Sequence, residues 1–442
     1  MALNLKARLG RIRRTEVRQA ESGISVRSPG ETEHKPAVIT TAEPNSSGLQ
    51  GEVSWSGWNE IGFKTLKREL YAEPPFPLPA VFGRALAILV PDLSRMGRVP
   101  SSGDLLFFDL ETTGLSGGAG TVAFLAAFGR FAPPGGENMG GSARLKITQY
   151  LLLDYPGESD FIECLTGEFS VSPPPFVVSF NGKCFDSQIL KNRCLMNGIK
   201  APEYLHLDLL HPARRLWKKM LPDCSQATIE TLFPGLNRSG DVSGALAPEI
   251  WFSFLRTGEN RELLTVCDHN RRDILGLASL FLALGKIAEE PLESRKTFHF
   301  DEEALALSYW EALKKNAFLR GDGESYQRYE ETGKLLLETA AGNGCKRAAF
   351  ALGLDLFKKG RYREGRTLMK KLTLDASEAE IPGSLRAAAL KSLAIDAEWR
   401  LGDLVLALDY TNAAIGVPEL SKSFRNELEK RRFRLEKKTA TA

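Results

Sequence analysis

Long apolar runs are missing from this sequence. The longest reach around ten residues, too short to span a bilayer, and the first residues hold no hydrophobic segment of the kind a secretory signal needs. Cysteine is sparse as well. The six, at 164, 184, 194, 224, 267 and 345, form no CxxC pair and no zinc-finger spacing, so they read as buried or free thiols in a reducing compartment. A charge excess of one sign is also lacking: 58 Lys and Arg against 55 Asp and Glu leave a formal net charge of +3, so any basic footprint for a polyanion has to be local. No Gly-x-Ser-x-Gly elbow is present, and the glycines between Gly114 and Gly120 lack the Lys and Ser/Thr of a phosphate-binding loop. Serine hydrolases and P-loop nucleotide enzymes are thereby set aside. The expectation is a cytoplasmic protein with no membrane contact.

What is present is ordinary globular material, 43% hydrophobic and 26% charged over 442 residues, too long for one ordinary core. Residues 1–52 are rich in Arg, Glu, Ser, Thr and Gly without hydrophobic periodicity, a composition that cannot offset the entropy of ordering, and are expected to form a disordered arm. Residues 53–100 read as a lead-in segment packing on the next domain, with one helical run from Ala80 to Leu93. From 101 to 290 the pattern changes. Apolar runs at 104–112, 121–132, 144–154, 176–181 and 204–210 are bounded by Gly, Pro and Ser as buried strands are, with helical patterns at 158–169, 186–197, 212–220, 225–233, 248–256 and 261–286. Three strands in succession followed by alternating helices and strands predict an α/β domain, a mixed sheet flanked by helices. Residues 300–442 lose all strand signals and predict an all-α helical-repeat domain. Two stretches within it, ALGLDLFKKGRYREGRTLMKKL from Ala351 and SLAIDAEWRLGDLVLALDYTNAA from Ser392, are self-similar, with Gly360 and Gly402 before the second helix of each. Their spacing exceeds 34 residues, so the likeness to tetratricopeptide repeats is loose. The segment from Arg425, RNELEKRRFRLEKK, is a basic helix, either a solvated face or a partner contact.

Three short segments carry chemistry. Asp109 and Glu111, in DLETTGL at the end of the most apolar strand, lie two apart and so share a face. Two adjacent carboxylates are stable there only with a hard cation to neutralise them. In SFNGKCFD, a strand passes through a glycine turn into a helix whose first residue is Asp186, which on its own also suits a helix cap. In DHNRRD, His269 and Asp273 are four apart on one face of a long amphipathic helix, close to the apolar positions Ile274, Leu275 and Leu277.

Together these segments resemble the DEDD exonuclease superfamily, whose acids follow the same order. DLETTGL is similar to its first motif, NGKCFD to its second and HNRRDILGLASL to its third, and the whole run from 101 to about 285, including HLDLLHPARRLWKK, most resembles the YprB-type branch of ribonuclease H-like domains. The resemblance implies a ribonuclease H-like mixed sheet with the first two acids on its central strand. It also implies that Asp109, Glu111, Asp186 and Asp273 bind two ions, Mg²⁺ or Mn²⁺, about 4 Å apart, one activating a water and the other stabilising the departing 3′-oxygen. His269 would act as general base or position the water, Asn181 would hold the nucleotide or Asp186, and Thr112, Gly114 and Leu115 would line the terminal base and sugar. In one respect the pattern departs: histidine-bearing members place that residue five before the last Asp, whereas His269 precedes Asp273 by four, a spacing shared with the YprB-type branch.

The implied activity is a metal-dependent 3′-to-5′ exonuclease on single-stranded DNA or RNA. A catalytically silent nucleic-acid-binding or scaffold protein, recruiting a protein partner through its helical repeats, is the alternative, and an endonuclease on the same core is a third. His206-Leu-Asp208-Leu-Leu-His211 has the composition of a metal cluster, but its position favours a structural role for Asp208. Arg214, Arg215, Lys218 and Lys219 lie on a short helix where substrate backbone or solvent could take them.

Overall fold

The computed structural model describes residues 55–114, 120–132, 144–170, 175–236, 238, 240–321, 323–374 and 381–440, all within one unit, Glu52–Ala442. The expected arm at 1–52 and Leu115 lie outside the described residues.

The architecture grows from β3 (Leu105–Thr112), whose LLFF start is apolar on both faces and is buried on both. β3 pairs antiparallel with β4 (Ala123–Ala132), setting Phe107 opposite Gly129 and Glu111 opposite Leu125, and parallel with β6 (Phe176–Ser179). β4 continues antiparallel to β5 (Arg144–Leu152), and β6 parallel to β7 (Leu205–Asp208). Residues 53–100 contribute more than a packed lead-in. A hairpin of β1 (Asn59–Gly62) and β2 (Thr65–Ala72) adds to the free edge of β5, with Leu66 opposite Leu151 and Leu70 opposite Ile147. The sheet thus has seven strands in the order β1-β2-β5-β4-β3-β6-β7. This is a ribonuclease H-like mixed sheet, as the motif order implies, extended by one hairpin whose mixed polar sequence shows no clean alternation.

Helices cover both faces: α1 (Leu86–Leu89), α2 (Asp92–Met96), α3 (Glu158–Gly167), α4 (Asp186–Met196), α5 (Leu210–Trp217), α6 (Gln226–Glu230), α7 (Ala247–Thr257) and α8 (Arg261–Glu289). On one face Leu106 and Phe108 meet Phe128, Phe161 and Ile189. On the other, Leu105 and Phe107 meet Ile274, Leu277 and Phe281 of α8. Phe107 and Phe108 are at most 1% exposed, and each contributes roughly 1.5–3 kcal/mol of burial. The 29 residues of α8 give it a length of about 43 Å, enough to cross the sheet and run beyond it. Its second half, Gly276 to Gly285, is buried on all sides because helices cover its far side too.

Those are the helices of the C-terminal region: α9 (Pro291–Ser294), α10 (Glu302–Lys315), α11 (Gly323–Gly342), α12 (Lys346–Lys358), α13 (Tyr362–Leu374), α14 (Gly383–Asp396), α15 (Leu404–Ile415) and α16 (Lys422–Thr439). From α10 onward each packs on the next. Gly360, past the end of α12, and Gly402, past the π-helical turn Ala397–Leu401 that extends α14, both take left-handed backbone, which explains the glycine in each self-similar stretch. Leu305, Tyr309 and Leu336 join the same core as Phe107, so α10 and α11 are packed into the sheet domain. Among the described residues no helix is long and apolar enough to cross a membrane.

Candidate metal and nucleic-acid site

Asp109 and Glu111 lie at the C-terminal end of β3, the middle strand of the five left when the β1-β2 hairpin is set aside, on the face continuing from Leu105 and Phe107 and therefore under α8. α8 presents His269 and Asp273 to the same place. Ligand atoms of Glu111, His269 and Asp273 lie within 4.8 Å of one another. Asp186 enters from α4 and is 7% exposed. It is not spent on capping, since the residue at the cap position is Phe185 and no side chain caps that helix.

Asp109 and Asp186 stand outside that close group of three ligands, near enough for their charges to act on it. Burial holds the Asp109 carboxyl well above the usual carboxylate range, and the charges of Asp273, Asp186 and Glu111 push the same way. Glu111 is raised in the same manner, by burial first and then by Asp273, Asp186 and Asp241. Burial lifts Asp186 to about 7, opposed by its own backbone hydrogen bond and aided by Asp208. Carboxylates raised together by burial and mutual repulsion need protons or a cation.

Several residues that hold this cluster were not singled out in the sequence. Asn270, fully buried, donates from Nδ2 to Oδ2 of Asp109 at 2.8 Å. Its Oδ1 accepts from Nε2 of Gln149 at 2.9 Å, and Oε1 of Gln149 accepts from Nε of Arg68 at 2.6 Å. Asp241 accepts from or pairs with Nδ1 of His269 at 2.9 Å, while Nε2 of His269 faces Asp273 at 3.2 Å. Arg238 bridges the second carboxylate network, pairing with Asp273 at 2.5 Å, Asp241 at 3.1 Å and Glu230 at 2.6 Å. Asn270 falls inside the third motif, so its signal was a polar residue on a core-facing helix. Asp241 and Arg238 lie in a Gly- and Ser-rich loop without pattern, and nothing in the sequence marks them.

The remaining expected residues take other parts. Thr112 is buried, and its Oγ1 donates to the carbonyl of Gly114 at 3.1 Å, shaping the strand end. Asn181 has φ +66, a left-handed backbone that Asn tolerates, and an exposed side chain. Its contribution to order is the backbone: Asp208 accepts from the N–H groups of Asn181 at 2.9 Å, Lys183 at 3.1 Å and Leu210 at 3.0 Å. Asp208 thereby fixes the turn that delivers Asp186. Gly182 has no room for a side chain there, because a Cβ would stand 2.5 Å from Oγ of Ser179 and 2.9 Å from Oδ2 of Asp186. His206 bridges Ser179 and Ser187 at 2.7 and 3.2 Å, and burial pulls it down to about 4, so it is a neutral bracket.

Residues 106–284 match the model of the RNase H superfamily. That stretch has a ribonuclease H-like fold, a mixed sheet with flanking helices. An uncharacterized protein of Bacillus subtilis (strain 168), YprB, is 31% identical over 274 residues, 61% of this chain and 60% of that one. The chain thus spans about 60% of the length of the curated relative it matches. A solved structure, the family B DNA polymerase of the hyperthermophilic archaeon Pyrobaculum calidifontis, aligns with 48% of this chain and 29% of its own at 13% identity, with a TM-score of 0.30, too low to carry weight. The matched span of the ribonuclease H-like domain includes Asp109, Glu111, Asp186, His269 and Asp273, and ends within α8.

Proposed function

We propose that this chain is a metal-dependent nuclease, a 3′-to-5′ exonuclease of DEDD type that shortens single-stranded DNA or RNA. The observation that carries the reading is the meeting of Glu111, His269 and Asp273 within 4.8 Å at the junction of β3 and α8, with the charges of Asp109 and Asp186 acting on the same place. Among the described residues no lysine or arginine pairs with Asp109, Glu111 or Asp186, so their buried charge suits a hard cation. Oxygen donors favour Mg²⁺ or Mn²⁺, and two such ions would be held by Asp109, Glu111, Asp186 and Asp273. Bound there, the ions would supply a water of lowered pKa and charge stabilisation at the scissile phosphate.

The chain's own groups would do the positioning. Asp241, facing Nδ1 of His269 at 2.9 Å, would favour the tautomer with its proton there, and Nε2, which faces Asp273 at 3.2 Å, would then take or orient the proton of the attacking water. The water oxygen bonds to phosphorus as the bond to the 3′-oxygen breaks, releasing a nucleoside 5′-monophosphate and leaving a new 3′-hydroxyl. Thr112, Gly114, Leu115 and Asn181 would line the terminal nucleotide, and the helical region would recruit a protein partner in the manner of tetratricopeptide repeats.

A second reading has one observation in its favour. Arg238 stands against Asp273 where a cation would be held, as expected of a catalytically silent nucleic-acid-binding protein. A 5′-labelled single-stranded oligonucleotide with Mn²⁺ separates the two. The nuclease reading expects a ladder shortened from the 3′ end and abolished by Asp109→Ala or Asp273→Ala. No metal-dependent shortening, or equal shortening by both variants, leaves the silent reading. Cutting of a circular substrate would make the enzyme an endonuclease.

A further inference from the structure

A cleft of about 660 Å³ lies between the sheet domain and the helical region, walled by α1 and α2 on one side, by α5 and the residues after it at the base, and by α10 and the start of α12 on the other. Its lining holds seven basic side chains against two acidic ones in a chain whose overall charge is only +3. Four of the basic groups, Arg214, Lys218, Lys315 and Arg347, are exposed and make no ion pair among the described residues. The other three are partly engaged: Arg95 with Asp92, Arg215 with the carbonyls of Ile88 and Leu89, and Lys219 with Asp301 and Glu303. Like charges gathered around one cleft repel, and a cleft focuses their field outward, so the arrangement is suited to a polyanion.

The walls are fixed. Asn316 bonds to Ser94, and Arg84 donates to the carbonyl of Phe318 at 2.8 Å while lying over its ring, so the helical region is tied to α1 and α2 across the cleft. A chain of contacts links the cleft to the turn before Asp186. Asp92 of α2, next to the lining residue Pro91, pairs with Lys183 at 2.6 Å, and Lys183 precedes Asp186 by three residues. α5, which supplies Arg214 and Arg215, begins two residues after Asp208, the residue that holds that turn.

We infer that this cleft is a track for the sugar-phosphate backbone of the nucleic-acid strand whose 3′ end is served by the Asp109 cluster. The inference rests on the proposed nuclease reading and adds the surface on which the strand lies. Phe318, the one aromatic in the lining, is already covered by Arg84, so contacts are to phosphates rather than to stacked bases. Binding is therefore insensitive to sequence and strongly dependent on salt.

The test is fluorescence anisotropy with a labelled 30-nucleotide single strand in EDTA, where no cleavage intervenes, comparing the full chain with Lys218→Glu/Lys315→Glu and with Lys370→Glu on α13 as a charge control. The groove variant is expected to bind at least ~10-fold more weakly, and its slope of log affinity against log salt to flatten by about 1.4, the loss of two phosphate contacts. Circular dichroism melts matching those of the unmodified chain exclude misfolding. Equal binding by the groove variant, or equal loss in Lys370→Glu, overturns the track. So does groove-dependent capture of polyglutamate or anionic vesicles without oligonucleotide binding. If the strand binds through the groove but is never shortened in Mn²⁺, the nuclease reading fails while the polyanion track stands. If it is shortened with no groove dependence, the reverse holds.

Discussion

Asn270 donates from Nδ2 to Asp109 while its Oδ1 accepts from Gln149, so the first acid of the cluster is held at the end of a relay that starts at Arg68. Asn270 and Gln149 are fully buried, which makes the link between them one that water cannot readily replace. Asn270→Ala is expected to leave the Gln149 amide short of an acceptor, with a loss of about 1–3 kcal/mol in stability. Metal affinity should fall about 10- to 100-fold, as is usual when a group orienting a ligand is removed. Isothermal titration with Mn²⁺ measures the second effect, and unchanged affinity would show that Asp109 is placed by its strand alone.

Asp109→Asn should move stability and metal response in opposite directions. Burial and three neighbouring carboxylates raise the Asp109 carboxyl, so the folded state keeps a proton that the unfolded state loses as pH rises above about 4. A native state binding more protons than the unfolded state loses stability with rising pH, and Asn removes that penalty. In EDTA at pH 7.5 the variant should be the more stable of the two, with a higher Tm. Addition of Mn²⁺ should raise the Tm of the unmodified chain and not that of the variant. A variant less stable in EDTA and still responsive to Mn²⁺ would contradict this account.

The parts of the fold that depend on local pattern were legible in the sequence. The apolar run of β3, the three successive strands and the length of α8 are written in hydrophobic periodicity, and Asp109, Glu111 and Asp273 stand out as acids on faces that otherwise point inward. The β1-β2 hairpin was not legible, because Asn59, Glu60, Lys67, Arg68 and Glu69 give it the composition of a surface segment. Its strands gain their place from pairing with β5. Arg238 and Asp241 were hidden for a related reason: their roles come from where a loop lands in space, which no spacing along the chain records. Asp208 was read as structural on position, and its three backbone hydrogen bonds give that role a form.

His206 sets a pH dependence away from the metal cluster. Its ring bridges Ser179 and Ser187, and burial lowers it to about 4, with Asp208, Lys183, Asp92 and Lys191 as the charges around it. Between pH 4 and the unfolded value of about 6.5 the unfolded chain takes up a proton that the folded chain refuses. Stability is therefore fully present above about 6.5 and lost on acidification, with a total of about 3 kcal/mol if the whole shift is realised. Urea midpoints between pH 5 and 7 should fall less steeply in His206→Asn than in the unmodified chain. Parallel slopes would show that the ring is protonated in the folded state at a negligible cost.

The approach of α8 to the sheet depends on Gly129. It pairs with Phe107 on β3, and a Cβ there would stand 2.6 Å from Cγ2 of Ile274 and 3.2 Å from Cβ of Phe107. Cγ2 sits on a branched carbon with a stiff χ1, so the clash cannot be relieved by swinging a flexible tip. Relief has to come from displacement of α8, and the residue before Ile274 is Asp273. Gly129→Ala is therefore expected to cost about 1–3 kcal/mol and to lower metal affinity with it, although Gly129 touches no carboxylate. Replacing Ile274 by Leu moves the branch one carbon outward and should restore part of both losses in Gly129→Ala/Ile274→Leu. A double-mutant cycle on Tm and on Mn²⁺ affinity reads the coupling. Additive losses would mean that α8 and Asp273 are held by contacts other than this one.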